Sequence, residues 1–267
     1  MGCAADYPSL FDGLIILEIF ENCSNPLTIV DISNQTKLSF SDTQKVCESL
    51  IKLGYLSKDH SSNRYSPTSK CLKLGLGYYN LSPLFQAAVP IITNLSAKVE
   101  ENIILVGHYK YQLTHIFNTT TTNAVQPEFP GEHRNILYTA AGRSILSHLQ
   151  AMDVVSLVFA DQRTSLSRRT ITDPKQLMLE IENAAAKGFA VINGERNEEL
   201  ISIGAAILDA KGDPIAGIEL EGPRSRLKWP KKRERLGSLI HNASVSYTHL
   251  RAHETDSYLV CRLLLEK

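Results

Sequence analysis

Glu219 and Glu221 stand two residues apart in a run, Ile215–Leu220 and onward, that reads as a β-strand, so both carboxylates fall on one face. If that face lines a pocket, unpaired acids there disfavour an anionic ligand; pairing with Arg143 or Arg196, or a solvent-facing position, is the other reading. Upstream, Ala140-Ala141-Gly142-Arg143-Ser144-Ile145-Leu146 reads as a loop entering a helix. Free backbone N–H groups at Ala141, Gly142 and Arg143 could receive a carboxylate or other anion, although a plain helix start fits the same residues. Near the N-terminus, Ser39, Ser41, Asp42, Gln44 and Lys45 gather at the head of another helix. Gln44 has the amide to read a base edge, and Ser41 and Lys45 have the groups to hold phosphates. The bland alternative is a merely solvated surface.

The motifs of catalysis are missing. The sequence has no G-x-S-x-G elbow, no phosphate-cradling P-loop, no H-E-x-x-H and no G-x-G-x-x-G after a strand. The eight histidines are dispersed, and the five cysteines include no C-x-x-C pair, which disfavours both a disulfide framework and a zinc site. The expectation is a binder, with no catalytic residue, no metal and no cofactor.

The bulk properties set limits on partners. Lys plus Arg equals Asp plus Glu at 28 each, so no global field draws the protein to nucleic acid and any DNA contact must be local. The length of 267 residues is comfortable for two domains, and 43% hydrophobic with 21% charged residues is an ordinary globular balance. No basic segment precedes an apolar leader, and no apolar run reaches membrane-spanning length, so a cytoplasmic protein without membrane contact is expected.

The elements that must hold these residues follow from periodicity. Leu10, Phe11, Leu14, Ile15, Leu17 and Ile19 mark a first helix over Leu10–Phe20. Ile29, Ile32 and Ser33 mark a second, over Thr28–Thr36. Val46, Cys47, Leu50, Ile51 and Leu53 mark a third, with Ser39 or Ser41 as N-cap and Gly54 as its stop. A hairpin follows, from Leu56–Lys58 through Asp59-His60-Ser61-Ser62-Asn63 to Arg64-Tyr65-Ser66. Three helices and a two-stranded ribbon are the order of a winged helix-turn-helix, whose third helix enters the major groove while a wing carrying Arg64 touches the backbone. Winged helices also serve as dimerisation or protein-interaction modules. Charges through Asn80 balance, so phosphate affinity is modest and salt-dependent unless a dimer binds two half-sites.

Beyond Gly77 a helix is expected over Leu81–Val99, then strands at Ile103–Gly107 and Leu113–Phe117, a helix over Leu177–Lys187 ended by Gly188, and strands at Phe189–Ile192, Ser202–Leu208 and Ile215–Leu220. This is an α+β domain of the kind that senses a ligand. Arg224, Arg226, Lys228, Lys231, Lys232, Arg233 and Arg235 form the strongest charge run, read as a solvated helix start after Pro230 rather than as a nucleic-acid patch.

From about Leu10 to Ala243 the chain resembles the IclR family of bacterial regulators. The resemblance lies in Leu50-Ile51-Lys52-Leu53-Gly54-Tyr55-Leu56 with Arg64-Tyr65, in Ala141-Gly142-Arg143, and in Lys187-Gly188-Phe189-Ala190 leading to Ile203-Gly204-Ala205-Ala206-Ile207 and Glu221-Gly222-Pro223. It implies an α+β protein with a winged helix-turn-helix at 1–77, a linker helix at 78–100 used in dimerisation, and a GAF-like effector-binding domain at 101–243. It implies a homodimer or tetramer on double-stranded operator DNA, with affinity controlled by a small, often acidic metabolite. Glu219 and Glu221 stand where the family often has small hydroxyl residues facing the ligand, and Ser202 where some relatives place a polar ligand contact. Asp42 replaces the usual threonine at the head of the recognition helix. A carboxylate there repels phosphate unless it caps the helix or accepts from a cytosine amino group. The segment Asn193-Gly194-Glu195-Arg196 departs from the usual acidic pattern.

Residues 244–267 resemble translated sequencing-adapter read-through and are set apart from the fold, which also removes the metal reading of His249 and His253 at helical spacing. The alternative from another class is a small-molecule O-methyltransferase, since many open with a winged dimerisation domain. Such an enzyme needs a glycine-rich strand-to-helix loop, and Ile104-Leu105-Val106-Gly107-His108-Tyr109 lacks the further glycines.

Overall fold

The computed structural model describes residues 8–109, 111–119, 129–161 and 165–265, which form two compact units, Met1–Ser82 and Pro83–Lys267. In the first, α1 (Pro8–Glu18) tightens into a 3-10 turn (Ile19–Asn22), and a short strand β1 (Leu27–Thr28) leads to α2 (Ile29–Thr36) and α3 (Phe40–Lys52). The hairpin β2 (Leu56–Asp59) and β3 (Arg64–Pro67) follows, then a 3-10 turn (Ser69–Cys71) and α4 (Leu72–Leu81).

Local chemistry explains each junction. Thr28 and Asp31 form a reciprocal capping box that starts α2, and Lys37 ends it in the left-handed conformation. Ser39, not Ser41, caps α3. Gly54 at φ 78 turns the chain into the wing, which is why Leu53, expected in the buried stripe, is instead exposed. The hairpin turn is tied by Asp59, which accepts from the Ser61 and Ser62 hydroxyls, while Asn63 takes positive φ. Ile16, Ile32, Cys47, Leu50, Leu56 and Tyr65 make the core, each large side chain contributing about 1.5–3 kcal/mol by burial. The sheet has three strands, ordered β1-β3-β2. β1 is too short to show any alternation in sequence.

The helix expected over Leu81–Val99 starts two residues later, as α5 (Pro83–Val99). Ser82 is extended at φ −84, ψ 107, because a residue before proline is driven out of helical conformation, and Pro83 suits a first helical position. The segment 78–100 is therefore not one helix: its first residues belong to α4.

The second unit is built on six antiparallel strands in the order β6-β5-β4-β9-β8-β7. These are β4 (Asn102–Tyr109), β5 (Gln112–Asn118), β6 (His133–Asn135), β7 (Ala190–Asn193), β8 (Leu200–Leu208) and β9 (Pro214–Pro223). Between β6 and β7 lie a 3-10 turn (Ile136–Tyr138), α6 (Ala140–Leu146), α7 (Ala151–Ala160) and α8 (Pro174–Lys187). After β9 come α9 (Arg224–Leu227) and α10 (Pro230–Leu265). Asp173 caps α8 and Gly188, at φ 75, ends it as the sequence predicts.

Helices cover both sheet faces, so β8 is buried along nearly all its length. One face packs against α6, where Gly204 and Gly217 let the helix backbone sit directly on the strands. The other carries Ile103, Leu105, Ile203, Ile218 and Leu220, under α5 and α10. The basic run divides: Arg226 binds the buried Glu101 carboxylate at 3.0 and 2.6 Å, while Lys231, Lys232 and Arg235 are exposed at the start of α10. No element boundary falls at Ser244: α10 runs on through Leu265, and Ser244 and Tyr247 are buried. The side chains of His249 and His253 lie outside the described ones.

Candidate functional site

On the first unit, α3 presents Ser41, Asp42, Gln44, Lys45 and Glu48 to solvent while Thr43, Cys47 and Leu50 face the core. Ser39 and Asp42 bond to each other: the Asp42 N–H donates to Ser39 Oγ at 3.1 Å, and the Ser39 hydroxyl donates to Asp42 Oδ2 at 2.7 Å. Asp42 is thus the first-turn partner of the Ser39 cap, where the helix start favours a carboxylate, with Lys45 3.8 Å from its other oxygen. Gln44 Nε2 donates to Glu48 Oε1 at 3.0 Å. Arg64 sits in the wing sheet with Nη1 donating to the Pro26 carbonyl at 2.7 Å.

On the second unit, the sequence-predicted residues gather on the α6 face of the sheet, in a different pattern from the one expected. β8 and β9 pair Ser202 with Glu221 and Gly204 with Glu219, so the two acids and Ser202 share that face. Glu219 Oε2 accepts the Ala141 N–H at 2.9 Å. The anion position read at the start of α6 is therefore filled by the chain's own carboxylate. Gly142 has no alternative, since a Cβ there would overlap the Ile136 carbonyl and Thr139 Oγ1. Its N–H donates to Thr139 Oγ1 at 3.0 Å.

Arg143 pairs with neither Glu219 nor Glu221. It is fully buried, and its guanidinium meets Glu195 in a bidentate bridge at 2.8 and 2.6 Å, with Nε donating to the Leu137 carbonyl. Glu195 also accepts the Ile171 N–H, so the pair is closed on itself.

Glu221 keeps looser company. The Ser202 hydroxyl donates to its Oε2 at 3.3 Å, and Arg196 Nη1 lies 3.9 Å from the same oxygen. Burial, then repulsion from Glu219, raises its pKa, against the pull of Arg196 and Arg134. Arg134 on β6 shares this field: burial and then Arg196 lower its pKa, while Glu219 and Glu221 raise it. Beside Glu221 lies a cavity of about 180 Å³ lined by Ile192, Glu195, Arg196, Asn197, Leu200 and Ser202. Among the described residues no cluster of histidine, cysteine or carboxylate groups could hold a metal ion.

Two family models cover the chain: the C-terminal domain of the bacterial transcriptional regulator IclR matches residues 77–247, and the IclR helix-turn-helix domain matches 9–60. The chain belongs to the IclR family. Among curated IclR-type relatives, the Pca regulon regulatory protein of Pseudomonas putida is 28% identical over 246 residues, covering 90% of this chain and 83% of that protein. The regulator KipR of Bacillus subtilis is 26% identical over 83% of this chain and 91% of its own length. An IclR regulator from Alicyclobacillus acidocaldarius shares the fold at TM-score 0.81 and 16% identity, over 91% of this chain and 98% of that one. An IclR homolog from Microbacterium hydrocarbonoxydans, solved with 4-hydroxybenzoate, shares it at 0.74 and 19%, over 91% and 99%.

As an IclR-family member the chain is a DNA-binding transcriptional regulator with an effector-binding C-terminal domain, and not an enzyme, which displaces the methyltransferase alternative. No helix among the described residues is long and apolar enough to cross a membrane. Sequence reasoning grouped Ser202, Glu219, Glu221, Ala141, Gly142 and Arg143; the structure joins Ala141 to Glu219 and Ser202 to Glu221, while Gly142 bonds Thr139 and Arg143 turns to Glu195. It missed Arg134, Asn197 and the role of Glu195. Arg143 carried the available signal, because an arginine inside an apolar helix demands a buried carboxylate.

Proposed function

We propose that this regulator binds double-stranded operator DNA in the cytoplasm as a homodimer or tetramer, and that a small molecule held beside Glu221 sets its affinity. Ser41, Gln44 and Lys45 are the base and phosphate contacts of α3, with Arg64 on the wing and the Ser39–Asp42 cap fixing the helix start. Ser202 and Glu221 line the effector site, and Glu219 with the α6 segment Ala141-Gly142-Arg143 supports it, Glu219 through the Ala141 N–H and Arg143 through Glu195. The observation that carries this reading is a polar cavity, lined by Arg196, Asn197, Ser202 and Glu221, in a unit separate from the exposed head of α3. The IclR homolog solved with 4-hydroxybenzoate supports a small organic ligand.

The test is binding of the full chain to DNA from upstream of its own gene, followed by fluorescence anisotropy with and without candidate metabolites. Gln44→Ala is expected to cost roughly 1–3 kcal/mol at one base pair and to relax preference there. Unchanged site preference would remove Gln44 from the reading, and no binding to any neighbouring fragment would remove the operator.

A further inference from the structure

The cavity wall sets a requirement on what fills it. Among the described residues lining it, Arg196 is the single cation, and Glu221 and Glu195 are the acids. Glu195 is taken by Arg143 and the Ile171 N–H, which leaves Glu221 and Arg196 facing the same space. They do not satisfy each other. At 3.9 Å their approach is too long for a hydrogen bond, and Arg196 Nη1, enclosed by protein, has no acceptor. Glu219 holds the Ala141 N–H with one oxygen, and its other oxygen is buried without a partner.

A purely anionic ligand would have to lie against Glu221, with Glu219 on the same face. A purely cationic one would meet Arg196, with Arg134 in the same field. Nor can an anion take the Ala141 N–H, which Glu219 occupies. A ligand with both charges on adjoining atoms answers Glu221 and Arg196 together, its dipole opposed to theirs. We propose that the effector is a small zwitterion, an aliphatic α-amino acid or close analogue, whose ammonium group docks on Glu221 and whose carboxylate meets Arg196. The volume agrees with a small ligand: about 180 Å³ is the space of about six waters. Ile192 and Leu200 give a short aliphatic side chain its apolar wall, and Ser202 and Asn197 supply neutral hydrogen-bonding groups. Burial and Glu219 raise the Glu221 pKa against the pull of Arg196 and Arg134, and an ammonium group would add a cation at hydrogen-bonding distance, which Arg196 at 3.9 Å does not provide.

The inference rests on the cavity being the effector site, and the experiment separates the two. The full chain is titrated calorimetrically with glycine, L-alanine, L-valine, L-leucine and L-isoleucine, and with isobutylamine, 3-methylbutanoate and 4-hydroxybenzoate. At least one amino acid is expected to bind saturably, and at least tenfold tighter than the amine and the acid. Glu221→Gln should weaken it at least tenfold without weakening 3-methylbutanoate, and Arg196→Gln should weaken it without weakening isobutylamine. Arg196 is partly exposed, so its variant remains informative should Glu221→Gln unfold. No amino-acid binding, or an acid binding as tightly as its amino acid, overturns the zwitterion. Binding of 4-hydroxybenzoate alone, abolished by Ser202→Trp, also overturns it but keeps the cavity; ligand binding that survives Ser202→Trp overturns the cavity itself.

Discussion

Arg143 is the largest fully buried side chain among the described residues, and its charge is tolerable there because Glu195 meets it with two short bonds. Removing one partner leaves the other charge buried and unpaired, so Arg143→Met is expected to cost about 3–5 kcal/mol. Arg143→Met with Glu195→Met together should recover most of that. Urea unfolding read by Trp229, the one tryptophan, reports on the unit concerned. A double variant as unstable as the single one would show that packing, rather than charge, is at stake. His115 gives a pH signature. Burial first, then Arg134, holds its pKa at about 4, below the ordinary 6.5, although Glu132 and a backbone bond to Phe117 pull the other way. The folded state therefore prefers neutral His115. Its contribution is fully present above pH 6.5 and is lost as pH falls through about 4, because the unfolded chain takes up the proton first. That contribution is about 3 kcal/mol at most. His115→Gln should flatten the stability profile between those limits, and an unchanged profile would assign the acid sensitivity elsewhere.

At the scale of elements, the site depends on how closely α6 lies on the sheet. A Cβ at Gly204 would overlap the Ala141 backbone, and one at Gly217 would press on Ala141 Cβ. Gly204→Ala is expected to cost roughly 1–3 kcal/mol by overpacking and to displace the Ala141 N–H from Glu219. Gly75→Ala, in α4 with nothing near its added methyl, should instead stabilise by up to about 1 kcal/mol. Equal effects would mean that helix propensity, not close approach, governs Gly204. These elements were mostly legible in the sequence. Helices α1, α3 and α8, the wing and strands β4, β5, β8 and β9 follow from periodicity and from glycine stops, but the buried face of α1 does not: Leu10, Phe11 and Leu14 of the expected stripe are exposed, and Ile16, outside it, is fully buried. What escaped has no periodic signal: β1 is two residues long, and the break at Ser82 turned on one proline that also suits a helix start. The partners within the site escaped for a related reason. Glu219 was placed on the correct face, but pairing across 78 residues, to a backbone N–H instead of an arginine, depends on register that sequence alone does not give.

For the whole molecule, equal numbers of acidic and basic residues mean that DNA affinity cannot come from bulk charge. It must come from locally placed cations, and Lys45 on α3 is an exposed candidate, with its side chain 75% accessible. Each neutralised phosphate lowers the slope of log affinity against log salt by about 0.9. Lys45→Ala removes one cation per protomer, so the slope magnitude should fall by about 1 for a single bound protomer and by about 2 for a dimer on two half-sites. The same titration thus reads both the contact and the assembly on DNA. Because Lys45 is the proposed phosphate contact, Lys45→Ala should lower affinity for operator and for unrelated DNA by similar factors, in contrast to Gln44→Ala. An unchanged slope would return Lys45 to its role beside Asp42, where it balances the helix cap and nothing more.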